Sequence, residues 1–251
     1  MSFKYDARPD EADFRDKLYQ PSLINVPPVA PVGTYLRRKV PVLNQGQEGA
    51  CTGFALATVV HYLNRTRAGK HDKDLVSARM LYEMAKQNDR WSGEDYSGSS
   101  CRGAVKGWHK HGVCSDDAWP YSVNAEDREL TPLREADAAA RPLGAYYRVN
   151  THNLTDMHTA LTEVGVLLVS AKVHKGWQQV GQDGKVKPSD EMIGGHAFAL
   201  VGYDQTGFWF QNSWGETWGY QGCGHVTYAD WLKNGMDAWV CRNGVPVQLS
   251  S

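Results

Sequence analysis

Three polar side chains that stand far apart in this chain make chemical sense together only if the fold unites them. The segment Gln45-Gly46-Gln47-Glu48-Gly49-Ala50-Cys51-Thr52-Gly53-Phe54-Ala55 places a cysteine six residues after a glutamine. It does so in a glycine-rich turn that opens an apolar run of helical character. Gly195-His196-Ala197 puts a histidine 145 residues after that cysteine. Asn212, in Gln211-Asn212-Ser213-Trp214-Gly215, follows 16 residues later. A thiol, an imidazole and a carboxamide in this order are the groups that thiol-based acyl transfer uses. The fold must therefore set the start of an early helix against a late strand.

The local patterns are compatible with that demand. Phe54, Ala55, Thr58, Val59, Tyr62 and Leu63 share one face at helical spacing, so a helix is expected from Cys51 towards Leu63. A second is expected from Ser77, its N-cap, to about Lys86, and a third around Cys101 to Lys110, stopping at Gly112. Tyr96-Ser97-Gly98-Ser99-Ser100 reads as a loop. After about residue 143 the character changes. Tyr146–Val149, Val166–Val173, His196–Tyr203, Phe208–Gln211 and His225–Tyr228 read as strands, with a short helix over Thr155–Val164 capped by Thr155. Helices first and strands later imply an α+β fold of two unlike lobes, about 51–142 and about 143–251, with Cys51 and His196 facing each other across a cleft. Residues 1–40 are polar, then proline-rich (Pro21, Pro27, Pro28, Pro31), with one short helical candidate at Glu11–Leu18. They read as an extended arm preceding a domain over 41–251.

Composition removes several classes of function. A net charge of −1 gives neither nucleic acid nor an anionic membrane the basic face it needs. No apolar run is long enough to span a bilayer, and Met1–Asp6 lacks the apolar stretch of a secretory signal. The expectation is a cytoplasmic protein, or one exported without a cleavable signal. The other four cysteines, Cys101, Cys114, Cys223 and Cys241, show no dense disulfide spacing, so reduced thiols are expected. No Cys-x-x-Cys pair occurs, and His109 and His111 beside Cys101 and Cys114 lack ligand spacing. Neither a metal nor a cofactor is expected.

These motifs resemble the papain-like (cathepsin-like) cysteine peptidases. Gln45-Gly46 and Gly49-Ala50-Cys51 match that family's nucleophile motif. Gly195-His196-Ala197 with Val201-Gly202-Tyr203 resembles its histidine strand, and Asn212-Ser213-Trp214-Gly215 with Trp218-Gly219 its asparagine motif. In that family the histidine and asparagine stand about 130–150 residues after the cysteine. His196 falls in that range and Asn212 a little beyond it. The resemblance covers roughly residues 41–232. It implies a helical N-terminal lobe, a β-rich lobe with a barrel-like antiparallel sheet, and an active-site cleft between them. Two departures stand out. Glu48 occupies the place of the family's usual cysteine before the nucleophile, and Thr52 that of the usual aromatic after it. The stretches Val76–Tyr82 and Gly112–Tyr121 look more like bacterial members than animal ones.

The resemblance implies a role for each residue. Cys51 is the nucleophile, favoured as thiolate by a helix N-terminus and by the His196 imidazolium. Asn212 orients His196, and Trp214 shields that bond from water. The Gln45 side chain and the Cys51 N–H form the oxyanion hole. A peptide or protein substrate would lie along Gly98, Ser99, Gly195, Trp214 and Trp218. The leading expectation is an endopeptidase. Two alternatives stay open: a thiol-dependent amidase or transpeptidase, and a non-catalytic peptide-binding module on the same fold. Residues 1–40 likewise have two readings: an arm that occupies the cleft, or a strap across the back of the fold.

Overall fold

Strand β3, Met192–Tyr203, divides the molecule. Its apolar stretch has no polar face because both faces are covered. Ala197, Ala199 and Val201 pack into one core with Cys51, Phe54, Ala55 and Val59. Phe198, Leu200 and Tyr203 pack into a second core with Met157, Leu161, Phe208 and Trp231. A strand buried on both sides loses the alternation that marks a half-exposed one. The computed structural model describes residues 3–22, 25–67, 74–89, 97–122 and 127–246. Within the expected 96–100 loop, Tyr96 lies outside the described residues.

Helices dominate the first half: α1 (Val32–Leu36), α2 (Cys51–Thr66), α3 (Ala78–Asn88), α4 (Cys101–His111) and α5 (Pro132–Ala138). The second half carries β1 (Leu143–Arg148), α6 (Leu154–Val164), β2 (Leu167–His174), β3, β4 (Gly207–Gln211), β5 (Cys223–Thr227), α7 (Tyr228–Asn234) and β6 (Gly235–Asn243). The strands form one sheet in the order β1-β6-β2-β3-β4-β5, and every neighbouring pair is antiparallel. The fold is α+β, helical in its first half and β-rich in its second.

Several ends follow from caps. The Ser77 hydroxyl accepts from Met80 N at the start of α3. Gly112 closes α4 with φ 72°, a conformation that suits glycine. Other expectations need correction. Glu11–Leu18 is not helical: its charges go to ion pairs with the rest of the protein, Asp13 and Asp16 with Arg102 and Asp16 also with Arg148. Asn153, not Thr155, caps α6, accepting from Thr155 N and Asp156 N. Strand β3 begins at Met192 rather than His196, and Tyr228 starts α7 rather than ending a strand. Helix α1, inside the expected extended arm, helices α5 and α7 and strand β6 have no counterpart among the sequence expectations. All five cysteines are buried and unpaired, in line with the reduced thiols expected.

Helix α2 positions the nucleophile motif. Every residue from Cys51 to His61 is buried, because α2 lies between α3 and the sheet. The approach to α3 is close at Gly53, where an added Cβ would stand 2.7 Å from Ala78 O and from Tyr82 N. In an exposed helix, Gly→Ala gains about 1 kcal/mol. Here the methyl has no room, so Gly53→Ala should instead destabilise the full chain, by about 1–3 kcal/mol. Equilibrium denaturant unfolding reads the sign directly.

Candidate active site

Cys51 is the first residue of α2, and no side chain caps that end. The backbone N–H groups of Ala197 on β3, of Thr52 and of Cys51 itself lie near its sulfur and favour the anion. The neighbouring strand residue is His196. Its Nε2 lies 2.8 Å from Asn212 Oδ1. A carbonyl oxygen only accepts, so Nε2 carries the proton and Nδ1 bears the lone pair. Nδ1 is buried and has no hydrogen-bond partner among the described residues. Asn212 Oδ1 also accepts from Ser213 N at 2.8 Å, which fixes the carboxamide orientation.

An aromatic wall surrounds the imidazole. Trp214 lies 4.9 Å away at 31°, while Trp177 and Tyr5 stand edge-on at 6.2 and 6.4 Å. Trp177 follows β2 in a 3-10 turn, and nothing in the sequence distinguishes it from core packing. Trp218 stands edge-on to Trp214 at 5.2 Å, packed into the same cluster.

Gln45 is fully buried and held by Ser213 of the β-rich half and by the Tyr121 hydroxyl at its carbonyl. Its N–H donates to Ser213 O at 3.0 Å, and its Oε1 accepts from the Ser213 hydroxyl at 2.7 Å. Those bonds aim Nε2 back along the loop, where one of its two hydrogens goes to Glu48 O at 3.0 Å. The structure thus unites Cys51, His196, Asn212 and Gln45 around the junction of α2, β3 and the loop after β4.

The site is covered by residues 3–8. Phe3 stacks on Trp214 at 4.7 Å, and Tyr5 meets the same ring edge-on at 5.7 Å. Gly195 N donates to Tyr5 O at 3.1 Å, and Ala7 N donates to Gly195 O at 3.0 Å. One residue on, Arg8 N donates to Ser99 O at 3.1 Å. The segment therefore bonds to the β-rich half at Gly195 and to the helical half at Ser99. Between these points the Ser97 hydroxyl donates to the Asp6 carboxylate at 2.5 Å, beside Gly49. Gly98 and Ser99 are buried, and Ser99 is tied through its hydroxyl to Thr52.

The electrostatics of the covered site disfavour charge on both Cys51 and His196. Burial pushes the Cys51 thiol up to about 12, against the backbone donors at its sulfur, and the Asp6 carboxylate adds to the rise. Burial pushes His196 down to about 4, with the Asn212 bond opposing. With the segment in place, both groups are neutral at pH 7.

A thiol at a helix start beside an Asn-oriented imidazole, between a helical half and an antiparallel sheet, defines the papain-like architecture. The family model described as papain family cysteine protease matches residues 35–241, and the chain belongs to that family. An uncharacterized peptidase C1-like protein of Acanthamoeba polyphaga mimivirus is 26% identical over 203 residues, 74% of this chain and 64% of its own length. A cathepsin B-like protein of Giardia intestinalis is 26% identical over 198 residues, 72% of this chain and 62% of its own length. The chain thus spans less than two thirds of these relatives. Among solved structures, xylellain, a cysteine protease from Xylella fastidiosa, superposes with a TM-score of 0.81 at 24% identity, covering 97% of this chain and 96% of that one. A procathepsin B of Trypanosoma congolense gives 0.75 at 15% identity, covering 96% and 86%.

The covering segment is anchored by a buried charge cluster. Asp10 N donates to Asp237 Oδ2 at 3.0 Å, and the Asp10 carboxylate accepts from Arg102 N at 2.9 Å and Trp239 Nε1 at 2.7 Å. Arg148 pairs with Asp237 at 2.7 Å and reaches Asp10 at 3.8 Å. The Ser170 hydroxyl donates to Asp237 at 2.8 Å. Burial, then the Asp237 charge, raises Asp10 to about 7, against these donors and Arg148. A released Asp10 would titrate at the ordinary value near 3.8. The docked state thus holds a proton that the released state lacks between those values. Docking is strongest near pH 4 and weakens as pH rises through 7. Asp13 is held below the usual range first by Arg15 of its own segment and then by Arg102, so only its Arg102 pairing bears on docking, and only above that range. Amide exchange at Ala7 and Arg8, corrected for intrinsic pH dependence, should show protection rising as pH falls from 7 to 4, by up to about tenfold per unit. Flat protection across that window would mean that the cluster does not couple docking to pH.

Proposed function

We propose that this chain is a cysteine endopeptidase that hydrolyses peptide bonds through a thioester, and that residues 3–8 keep it latent. One observation carries the reading. Next along β3 from Ala197, whose N–H lies near the Cys51 sulfur, the buried Nδ1 of His196 has no hydrogen-bond partner among the described residues, while Nε2 is locked by Asn212. Most buried polar atoms are paired, and this open nitrogen belongs to an imidazole whose other nitrogen is fixed by Asn212 in the tautomer a base needs. A base waiting for a proton has one left open.

With the covering segment released, the cycle runs as follows. Nδ1 takes the Cys51 proton, and the α2 N–H groups favour the resulting thiolate. Sulfur bonds to the substrate carbonyl carbon, and the C=O electron pair moves onto oxygen. Gln45 Nε2 and the Cys51 N–H then donate to that oxygen. When the intermediate collapses, the C–N bond breaks and Nδ1 returns its proton to the leaving nitrogen. Water, deprotonated by the same Nδ1, attacks the thioester. The acid leaves and the thiol re-forms. Asn212 transfers no proton; it holds the ring in the tautomer that leaves Nδ1 free. Hydrolysis of peptide or protein chains, rather than transfer to another amine, is part of this proposal.

The backbone contacts of the covering segment support a substrate path. Gly195 and Ser99 offer a carbonyl and an N–H, or a carbonyl, to an extended chain, and Tyr5, Ala7 and Arg8 already use them. A substrate would replace these bonds, with Gly98, Trp214 and Trp218 lining the path. Latency follows from the same contacts. The segment occupies the substrate's bonds and keeps the thiol and imidazole neutral.

Incubating the full chain with denatured casein and reading products by mass spectrometry tests the activity. Cys51→Ala should fold and abolish cleavage. His196→Ala should lower kcat by about as much as losing the nucleophile does, and Asn212→Ala by less, since it acts only through His196. Cleavage that persists in Cys51→Ala would sink the assignment. Phe3→Ala with Tyr5→Ala should raise kcat/KM several-fold by loosening the cover. An unchanged rate at equal stability would show the segment to be a structural strap.

A further inference from the structure

Glu48, where the family's motif usually has a cysteine, is tied to a buried arginine. Arg79 on α3 has a fully buried side chain. Its Nη1 and Nη2 reach Glu48 Oε1 and Oε2 at 2.8 and 2.6 Å, a bidentate pair. The guanidinium is fixed further by Glu83 Oε1 at 2.8 Å, by Ser122 O at 2.6 Å, and by lying 4.7 Å over the Tyr121 ring. The Tyr121 hydroxyl is 2.9 Å from Glu48 Oε2 and 2.8 Å from Gln45 O, and shares its proton between them. Glu48 O in turn accepts from Gln45 Nε2. From Arg79 the chain of contacts runs through Glu48 and Tyr121 to both the backbone and the side chain of Gln45.

The physical need for such a tie is clear. The loop from Gln45 to Ala50 carries Gly46 at φ 62° and Gly49, residues that give a backbone little stiffness of its own. Ser213 clamps Gln45 from the sheet side only. An oxyanion donor is effective when it is aimed before charge develops, so drift of the loop costs rate rather than substrate affinity. A long Glu–Arg pair at the surface contributes little. This one has a fully buried arginine, so breaking it leaves that charge with Glu83 as its one remaining carboxylate among the described residues.

We propose that the Glu48–Arg79 ion pair, with Tyr121, is the positioning device of the oxyanion hole: it holds the Gln45 carboxamide in line for the tetrahedral intermediate. Glu48 and Arg79 touch no substrate; they act through Gln45. The inference rests on the reading of Gln45 as an oxyanion donor. Burial pushes the Glu48 carboxyl up, but Arg79 and Tyr121 outweigh it and hold the group below its ordinary value. The device thus stays charged into mildly acid solution and fails only as pH falls below the usual carboxylate range.

The test is a double-mutant cycle in the full chain, with a fluorogenic dipeptidyl amide as substrate. Gln45→Ala should lower kcat by about 10²–10³ with KM little changed. Glu48→Gln keeps the volume but breaks the ion pair. It should lower kcat by about tenfold or more, with KM again nearly constant. In the Gln45→Ala background Glu48→Gln should cost almost nothing, because the donor it positions is gone. Glu48→Asp, which retains the charge, should recover part of the loss. Alkylation of Cys51 by iodoacetamide, which develops no oxyanion, should be unaffected. Should Glu48→Gln fold poorly, Tyr121→Phe removes one hydroxyl and should show the same kcat-only loss, again absent in the Gln45→Ala background. A Glu48→Gln or Tyr121→Phe loss that adds fully to that of Gln45→Ala, or appears equally in iodoacetamide reactivity, would overturn the inference and make the network structural. A Gln45→Ala protein with unchanged kcat would instead overturn the oxyanion reading of Gln45 itself.

Discussion

The whole arrangement depends on the packing of the first turn of α2 against β3. Cys51 and Ala197 belong to the same core, and the Ala197 N–H lies near the Cys51 sulfur and favours its anion. The first three turns of α2 are buried, so the helix cannot shift along the sheet without opening the core. Because β3 alternates, placing Ala197 against α2 sends His196 and Phe198 the other way, towards Trp177 and Phe210. The imidazole thus sits at the seam, its ring walled by aromatics from the sheet side. Two cores that share one strand give the site its rigidity. The loop after β4 then brings Asn212 and Ser213, one to the imidazole and the other to Gln45.

Burial at this seam works in two directions. It strengthens the His196–Asn212 bond by excluding water. It also penalises charge, and with residues 3–8 in place the penalty falls on both the thiol and the imidazole. The same pattern recurs where the segment is anchored, since Asp10 is buried beside Asp237 and takes up a proton as a result. A cover held partly by a protonated carboxylate loosens as solution becomes more alkaline, and the site beneath it gains access to water at the same time.

Much of the site was legible because its chemistry is local in sequence. The Gln45–Cys51 turn, the start of α2 at Cys51, the Ser77 cap and the stop at Gly112 each rest on a few adjacent residues. What stayed hidden depends on distant partners. Strand β6 lies between β1 and β2, yet it includes Asp237, whose charge breaks any apolar pattern and is satisfied by the distant Arg148, Ser170 and Asp10 N–H. Glu11–Leu18 has helical spacing, but its acidic residues are spent on Arg102 and Arg148 across the fold. Trp177 looks like any core tryptophan until its edge is found against His196. Glu48 reads as a lost cysteine, and only the fold supplies Arg79.

The central claim is that Cys51 and His196 form an ion pair once residues 3–8 leave, and a neutral pair while they stay. The pH dependence of Cys51 alkylation by iodoacetamide measures this directly, comparing the intact chain with the Phe3→Ala, Tyr5→Ala variant. In the variant, reactivity should rise through a step far below the ordinary thiol value of about 8.5 and already be high at neutral pH. In the intact chain, reaction at neutral pH should be slow. Identical profiles for the two proteins, with a single step near the ordinary thiol value, would contradict the account.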